Sequence, residues 1–249
     1  MDRRARRSRV TLPLVLLLAG LAGCSTPATD RPAGADSATR LTATLVTPTD
    51  IALAWPDNEP DAAGRVVEFA TEPQGPYTIV QFLPPHRTTF THHDLMPATP
   101  FYYRVRAFFG PASAPVDVVL PDTGDEGDDQ EWAAPRTVAH GPVATAPIRN
   151  PGTAAAGTPT DLRASVMNAT GVQFTWTDHA SDEDGYLLEV RPRPNPDFTV
   201  AAVLDPDINS TGLTTLPDEK TASFRIRAFY YGTPSNTAHQ TTGPEPSST

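Results

Sequence analysis

The chain has 249 residues with 19 basic and 29 acidic side chains, a formal charge of −10, and a single cysteine. Without residues 1–23 the balance is more acidic still, at 14 basic against 28 acidic residues. Nucleic acids and anionic lipids bind positive potential, so we expect no nucleic-acid partner. A lone cysteine leaves no internal disulfide, and any folded domain must be stable through packing alone.

The first 23 residues have the pattern of an export signal. Five arginines within MDRRARRSR precede the apolar run TLPLVLLLAGLA. That run is too short to span a bilayer as a mature helix and has the length of a signal-peptide core. We therefore predict a signal peptide over residues 1–23.

The stretch LAGC at 21–24 resembles the lipobox of bacterial lipoproteins. The resemblance implies that Cys24 carries the lipid, and that several acyl chains hold the protein at the membrane, since one chain binds only marginally. The expected location is the bacterial cell envelope, lipid-anchored and facing away from the cytoplasm. The alternative is an ordinary secretory signal that ends near a cysteine. Residues 24–40, rich in Ser, Thr, Ala and Pro, are predicted to be a flexible tether.

Two parts of the mature chain repeat each other at an offset of 121 residues. Segment 41–109 aligns with 162–230 without a gap, with 17 identities in 69 positions. The identities include Trp55 with Trp176 and the run RxRAF, seen as YYRVRAFF at 102–109 and SFRIRAFY at 223–230. A shared register over this length indicates two copies of one domain.

The hydrophobic pattern of both copies has a period of two. Large apolar residues alternate with small or charged ones, as in Ile51, Leu53, Trp55 and in Tyr103, Val105. Alternation of this kind predicts strands with one buried and one solvated face. Turn-forming clusters interrupt these runs every 8–12 residues, a spacing typical of an antiparallel sandwich. The predicted fold class is all-β, with two tandem immunoglobulin-like β-sandwiches.

The combined pattern LxAxxVxxTxIxLxW, GxxxE and LxPxTxFxYRVRAFFG resembles a fibronectin type III domain, and the second copy is similar. The resemblance implies that Trp55 and Tyr103 lie in one core, and Trp176 and Phe224 in the other. The expected order is a first domain at 41–121, an acidic then Ala/Pro-rich linker at 122–157, a second domain at 158–243 and a disordered tail at 244–249. The first domain's last strand is expected near 116–119, although the run TVAHGPVATAPI could supply or lengthen that strand instead.

Charged residues on the outer face suggest cross-strand pairs. Glu68 is expected on the same face as Arg104 and Arg106, where an exposed pair contributes less than about 1 kcal/mol. The favoured interpretation of these arginines is a solvated strand face. A ladder that binds carboxylate or sulfate is the alternative.

Several groups of residues raise the question of metal binding, and for each a simpler interpretation is preferred. The acidic run at 122–131 lacks the spacing of a calcium loop, so a solvated linker is favoured, with calcium left open. The acidic residues of WPDNEPDAAG and WTDHASDEDG suit turns. At most His86 and one of the adjacent pair His92 and His93 could converge, whereas zinc requires three or four ligands, so an exposed turn is expected. We predict no metal, no cofactor and no enzymatic activity, since no catalytic motif appears.

Aromatic residues at the ends of the RxRAF runs are the candidate binding residues. Each pair follows the inward alanine, so that at least one ring of each pair is expected to be exposed on a loop. The favoured interpretation is nevertheless that these rings pack against the next strand or the neighbouring domain. A tryptophan in the linker could anchor a partner or fold back on the first copy. The candidates are Phe108, Phe109, Tyr230, Tyr231 and Trp132.

These observations predict a lipid-anchored, non-enzymatic module that binds an envelope protein or polysaccharide. A passive spacer or assembly component of an envelope complex is one alternative. An accessory subunit of a polysaccharide-degrading enzyme is another.

Overall fold

The structure is a computed structural model that describes residues 40–122, 134–139 and 141–244. Cys24, Trp132, the signal peptide and most of the acidic run lie outside these residues, as do the tether up to residue 39 and the tail from residue 245. The described residues form fourteen β-strands and two short 3₁₀ turns, Ala154–Gly157 and Pro217–Glu219. The prediction of an all-β chain made of two sandwiches is confirmed.

The first sandwich consists of two facing antiparallel sheets. One sheet has the order β1-β2-β5, and the other contains β4, β3 and β6 in that order. The strands are β1 (Thr42–Thr47), β2 (Asp50–Ala54), β3 (Gly64–Ala70), β4 (Thr78–Leu83), β5 (Thr89–His92) and β6 (Pro100–Phe109).

The second sandwich repeats this plan with the equivalent strands. Its first sheet has the order β12-β9-β8, and its second contains β11, β10 and β13. The strands are β8 (Thr160–Val166), β9 (Gly171–Thr177), β10 (Gly185–Pro192), β11 (Thr199–Leu204), β12 (Ser210–Thr214) and β13 (Thr221–Tyr231).

The alternating residues fill the two cores as predicted. Trp55 and Trp176 are 5% and 1% exposed, and Tyr103 and Phe224 are fully buried. Removing such side chains from water supplies most of the stability of a domain that has no disulfide. The repeat also keeps its register, because Glu68 lies opposite Arg104 just as Glu189 lies opposite Arg225, and a β-bulge precedes both glutamates.

The last strands of the two copies are exchanged. Strand β7 (Val116–Val119) follows β6 in the chain but pairs with the start of β13, from Thr221 to Phe224. Strand β14 (Ala238–Thr241) follows β13 but pairs with the start of β6. The expectation that each copy completes its own sandwich therefore needs correction. Val118 packs into the core of the second sandwich and Ala238 into the core of the first.

The exchange begins where the ends of β6 and β13 meet. Phe109 pairs with Tyr230 and Phe108 with Tyr231, which joins the two larger sheets edge to edge into one eight-stranded sheet. Beyond this junction the chain crosses to the other copy at Gly110, whose φ is +122°. A Cβ there would lie 2.1 Å from the carbonyl oxygen of Ala228. Only glycine allows both this backbone conformation and this close approach.

Part of the predicted linker packs on the second sandwich. Arg136 forms a β-bridge with Ser210, Ala146 forms one with Ala180, and Ile148 is buried in the second core. The run TVAHGPVATAPI therefore does not supply a strand to the first copy in its described residues. In the described part of the chain, no helix is long and apolar enough to cross a bilayer.

Candidate functional site

Each copy carries one buried glutamate held by two arginines. Glu68 accepts hydrogen bonds from Arg104 Nε and Arg106 Nη2, both at 2.6 Å. The predicted cross-strand pairing is thus confirmed, and both arginines take part at once. The exposure differs from the expectation, because Glu68 is only 3% accessible. Aromatic rings cover the guanidinium groups, with Tyr77 at 4.1 Å from Arg104 and Tyr231 at 4.0 Å from Arg106.

The second copy repeats the arrangement with Glu189. Arg227 Nε donates to Glu189 Oε1 at 2.9 Å, and Arg225 Nε donates to Oε2. Phe198 lies under two guanidinium groups, 4.0 Å from that of Arg225 and 4.6 Å from that of Arg191. Charge-assisted bonds and cation–π contacts of this kind fix the planes of the arginines.

The charged group of the second copy, Glu189 with Arg225 and Arg227, faces a cleft between the two sandwiches. The corresponding group of the first copy is covered by Tyr77 and Tyr231. The cleft has a volume of about 440 Å³ and is continuous with a neighbouring depression of about 610 Å³. Its lining includes Phe198 and the charged residues Glu189, Arg191, Asp197, Arg225 and Arg227. Apolar residues of the first copy line it as well, among them Phe82, Pro84 and Phe108.

The arginines of the cleft differ in whether a carboxylate of the protein already neutralises their charge. Arg225 and Arg227 share Glu189, and Arg227 also donates to the carbonyl of Gly110 at 2.6 Å. Burial is the main cause that lowers the pKa of Arg225. Arg191 forms no ion pair with any residue that the structure describes. Besides its contact with Phe198, it donates one long hydrogen bond, at 3.5 Å, to the hydroxyl of Ser223. Arg191 is therefore the cation best placed to meet an anionic ligand.

The four candidate aromatic residues on the β-strands all lie at the junction of the two copies. Phe108 is 3% exposed and packs edge to face on Phe229. Phe109 stacks on Tyr230 at 5.5 Å between ring centroids, and Tyr231 covers Arg106. Phe108 is buried, whereas Phe109, Tyr230 and Tyr231 are half-buried, so that none of the four rings is fully exposed. Cys24 and Trp132 lie outside the described residues.

The histidines occupy three different environments. His92 lies on β5 rather than in an exposed turn, and its Nδ1 is 3.1 Å from the Tyr103 hydroxyl. His86 and His93 are exposed, and each faces a carboxylate, Asp197 at 3.7 Å and Asp50 at 3.4 Å. The three rings do not form a shared site.

The acidic turn residues flagged by the sequence divide between structural roles and a cluster. Asp57 pairs with Arg65, Asp182 accepts the backbone N–H of Ile148, and Asp184 pairs with Arg149. Asp178 and Glu183 instead converge with Asp207, which lies in a turn that sequence reasoning did not consider. The repeat alignment did contain a signal, since Asp207 takes the place of His86 at the 121-residue offset.

No family model matches the chain, and no curated protein matches it. Among solved structures, it is similar to a Fn3-like protein from Clostridium thermocellum, at 27% identity over 28% of this chain and 74% of that one, with a TM-score of 0.26. A segment of two fibronectin type III domains from chicken tenascin is 15% identical over 82% of this chain and 98% of that one, also at 0.26. A redesigned β-sandwich protein is 26% identical over 27% of this chain and 72% of that one, with a TM-score of 0.24.

At these TM-scores the likenesses carry no argument about function. Each sandwich has the arrangement expected of a fibronectin type III-like fold, with a three-stranded sheet facing a second sheet in which β6 or β13 carries the RxRAF run.

Proposed function

We propose that the protein is a non-enzymatic binding module of the bacterial cell envelope that takes an acidic polysaccharide into the cleft between its two sandwiches. The observation that supports this most directly is Arg191, a cation without a carboxylate partner among the described residues, placed over Phe198 in a cleft of about 440 Å³. Planar guanidinium groups match carboxylate and sulfate oxygens in pairs. Rings and prolines beside them offer flat apolar surfaces to a sugar.

The charge of the rest of the chain favours a saccharide over a denser polyanion. Nucleic acids require an extended basic surface, and this chain carries −10 overall. A uronic acid or a sulfated sugar presents about one anionic group for every one or two sugar residues. One half-buried guanidinium group without a carboxylate partner, that of Arg191, can bind such a group. The carboxylates of the cleft also suit binding more than catalysis, because Glu189 is occupied by two arginines and Asp197 faces His86.

Titration calorimetry with polygalacturonate oligomers, and with neutral pullulan as comparison, tests the proposal. Arg191→Gln should weaken polygalacturonate binding by about tenfold or more, since a charge-assisted bond contributes about 1.5–3 kcal/mol. Phe198→Ala should weaken it as well, by freeing the guanidinium groups. Arg163→Gln is the matched control, because Arg163 is exposed on β8, in the other sheet of the second sandwich, and does not line the cleft.

Equal affinity of wild type and Arg191→Gln for polygalacturonate, or equal binding of the neutral glucan, would refute the proposed ligand class. A protein partner would then be the better hypothesis, and crosslinking from intact cells with a photoreactive residue at position 191 would identify it.

A rigid spacer is the second candidate function, and the strand exchange favours it. Two sandwiches joined by an eight-stranded sheet and by exchanged last strands cannot swing freely about a linker. If no ligand is bound and an envelope complex fails to assemble when residues 40–244 are replaced by an unrelated domain pair of different length, the spacer hypothesis gains.

The membrane anchor is proposed from the LAGC stretch alone. Cys24→Ser should move the protein from the membrane fraction to the soluble extracytoplasmic fraction. Unchanged fractionation would contradict lipidation at Cys24 and would leave the cleft proposal untouched.

A further inference from the structure

Three carboxylates converge at one end of the second sandwich. Asp178 directly follows β9, Glu183 precedes β10 by two positions, and Asp207 lies in the turn between β11 and β12. Each offers an oxygen atom, and these atoms all lie within 4.8 Å of one another. Asp207 is exposed and Asp178 is half-buried, so that water screens part of the repulsion between the three charges.

The middle member of this cluster is buried with one oxygen unsatisfied. Glu183 is 9% exposed, and its Oε1 accepts the backbone N–H of Asp207 at 3.3 Å. Its Oε2 is buried and has no hydrogen-bond partner. Burial, and then the charges of Asp178 and Asp207, raises the pKa of Glu183. A buried carboxylate oxygen without a donor costs free energy unless a cation or a proton meets it.

Protein groups near the cluster do not supply that cation. Asp178 Oδ1 accepts the N–H of Ala180 at 2.8 Å and the hydroxyl hydrogen of Tyr186. Among the described residues, no basic side chain lies within salt-bridge distance of Asp178, Glu183 or Asp207. The nearby Arg149 pairs with Asp184 instead.

The first copy has a buried cation at the equivalent place. Arg65, which aligns with Tyr186, is 1% exposed, and its Nη2 lies 3.1 Å from Asp57 Oδ1 and 3.8 Å from Glu59 Oε2. Ala62 and His86 stand where the second copy has Glu183 and Asp207. The second copy therefore lacks the guanidinium group and, although Ala180 replaces Glu59, has one acidic residue more among these aligned positions, at the same end of the same fold.

We propose that a calcium ion binds between Asp178, Glu183 and Asp207 and takes the part that the Arg65 guanidinium plays in the first copy. Calcium accepts six to eight oxygen ligands in irregular arrangements, and three carboxylates with water can provide them. Magnesium requires a near-ideal octahedron and is bound less readily by such a site. The ion would connect the turn after β9 with the turn after β11.

Thermal unfolding of the purified full chain with calcium chloride, from about 0.1 to 10 mM, tests this site in the affinity range of extracellular calcium modules. Calcium should raise the Tm by about 3 °C or more relative to EDTA, because it binds only the folded state. Terbium should bind with one high-affinity equivalent, with emission excited through Tyr186 and Trp176, whose rings lie 5.5 Å apart.

Glu183→Gln separates a metal site from a merely structural carboxylate. It should abolish the calcium-dependent rise in Tm and weaken terbium binding by about tenfold or more, while its Tm in EDTA stays equal to or above that of wild type. Asp61→Asn is the matched control, because Asp61 is an exposed acidic residue in the corresponding turn of the first copy. It should leave both readouts unchanged.

Two results would overturn the proposal. One is a wild-type Tm that does not respond to calcium over the whole range. The other is a calcium response that survives in Glu183→Gln, which would place the ion elsewhere, for instance on the acidic run at 122–131.

Discussion

The first copy buries an arginine where the second buries a tyrosine, at the same end of the same fold. Arg65 holds Asp57 and Glu59, whereas Tyr186 donates a hydrogen bond to Asp178 and leaves three carboxylates without a cation. Both copies keep the same strand register around this difference. A duplicated fold can thus change the electrostatics of one end through substitutions at a few positions while its core is conserved between the copies.

A second comparison concerns the edges of the two sandwiches. Each copy borrows its last strand from the other, and the exchange is nearly symmetric. Val105 N–H donates to the hydroxyl of Ser235 at 3.0 Å, and Ile226 N–H donates to the hydroxyl of Ser113 at 3.2 Å. The two serines thus satisfy equivalent amides of β6 and β13 from the opposite copy. The copies are equivalent in sequence but depend on each other for completion.

Val118→Asp should cause the largest loss of stability. Val118 follows the first copy in the chain, but its substitution should destabilise the second sandwich. Val118 is 4% exposed in the core of the second sandwich, so an unpaired charge there should cost about 3–5 kcal/mol. Hydrogen exchange should show loss of protection in β9, β10 and β13 before β2 and β3. Ala238→Asp should give the opposite order, because Ala238 packs in the first core.

Earlier loss of protection in the first sandwich on Val118→Asp would contradict the exchange. Val119→Thr serves as the control for perturbation of the strand itself, since Val119 is 69% exposed on the same strand and should leave the protection pattern intact.

The alternation of the strands explains why so much of this fold could be predicted. Local periodicity alone determines on which face of a strand a residue lies. The burial of both tryptophans and the pairing of Glu68 with the arginines follow from it. The exchange could not be predicted in this way. The run VDVV of β7 fits β6 and β13 equally well, because the two strands carry the same pattern, and the choice is set by the crossing at Gly110.

The cluster of Asp178, Glu183 and Asp207 could be predicted only in part from the sequence. Asp178 and Glu183 stand out in one acidic turn, but Asp207 belongs to a different turn, and proximity across turns depends on tertiary structure. The candidate rings show a related limit, since their favoured packing against the neighbouring domain could not be derived from alternation alone. Alternation indicates that a ring leaves the core, yet it does not say whether a second copy covers that ring, as happens at Phe108.

Neutralising equivalent aspartates should change stability in opposite directions in the two copies. Asp57→Asn leaves the buried Arg65 with a weaker partner and should destabilise the protein by about 2 kcal/mol, below the value for a fully buried pair because Asp57 is half exposed. Asp178→Asn keeps an acceptor for Tyr186 and relieves repulsion, so it should stabilise by up to about 1 kcal/mol in EDTA. Urea denaturation measures both, and changes of the same sign would contradict the electrostatic contrast.

The smallest expected effect concerns a polar pair that only the first copy has. His92 contacts the Tyr103 hydroxyl, whereas the second copy has Leu213 and Phe224 at these positions. Burial, and then the charge of His93, lowers the pKa of His92 below its ordinary 6.5. The unfolded chain therefore takes up a proton at higher pH than the folded one, and the contribution of His92 is fully present above about pH 6.5 and is lost as the pH falls.

Replacing the pair by the residues of the second copy tests this sign. His92→Leu alone leaves the buried Tyr103 hydroxyl without its acceptor or donor and should cost about 1 kcal/mol at pH 7. The double variant His92→Leu/Tyr103→Phe should recover most of that loss. Its advantage over wild type in urea denaturation should then grow as the pH falls from about 7 to 5, because only wild type must protonate a half-buried imidazole. Parallel stability curves for wild type and the double variant would show that His92 has the same pKa in the folded and unfolded states.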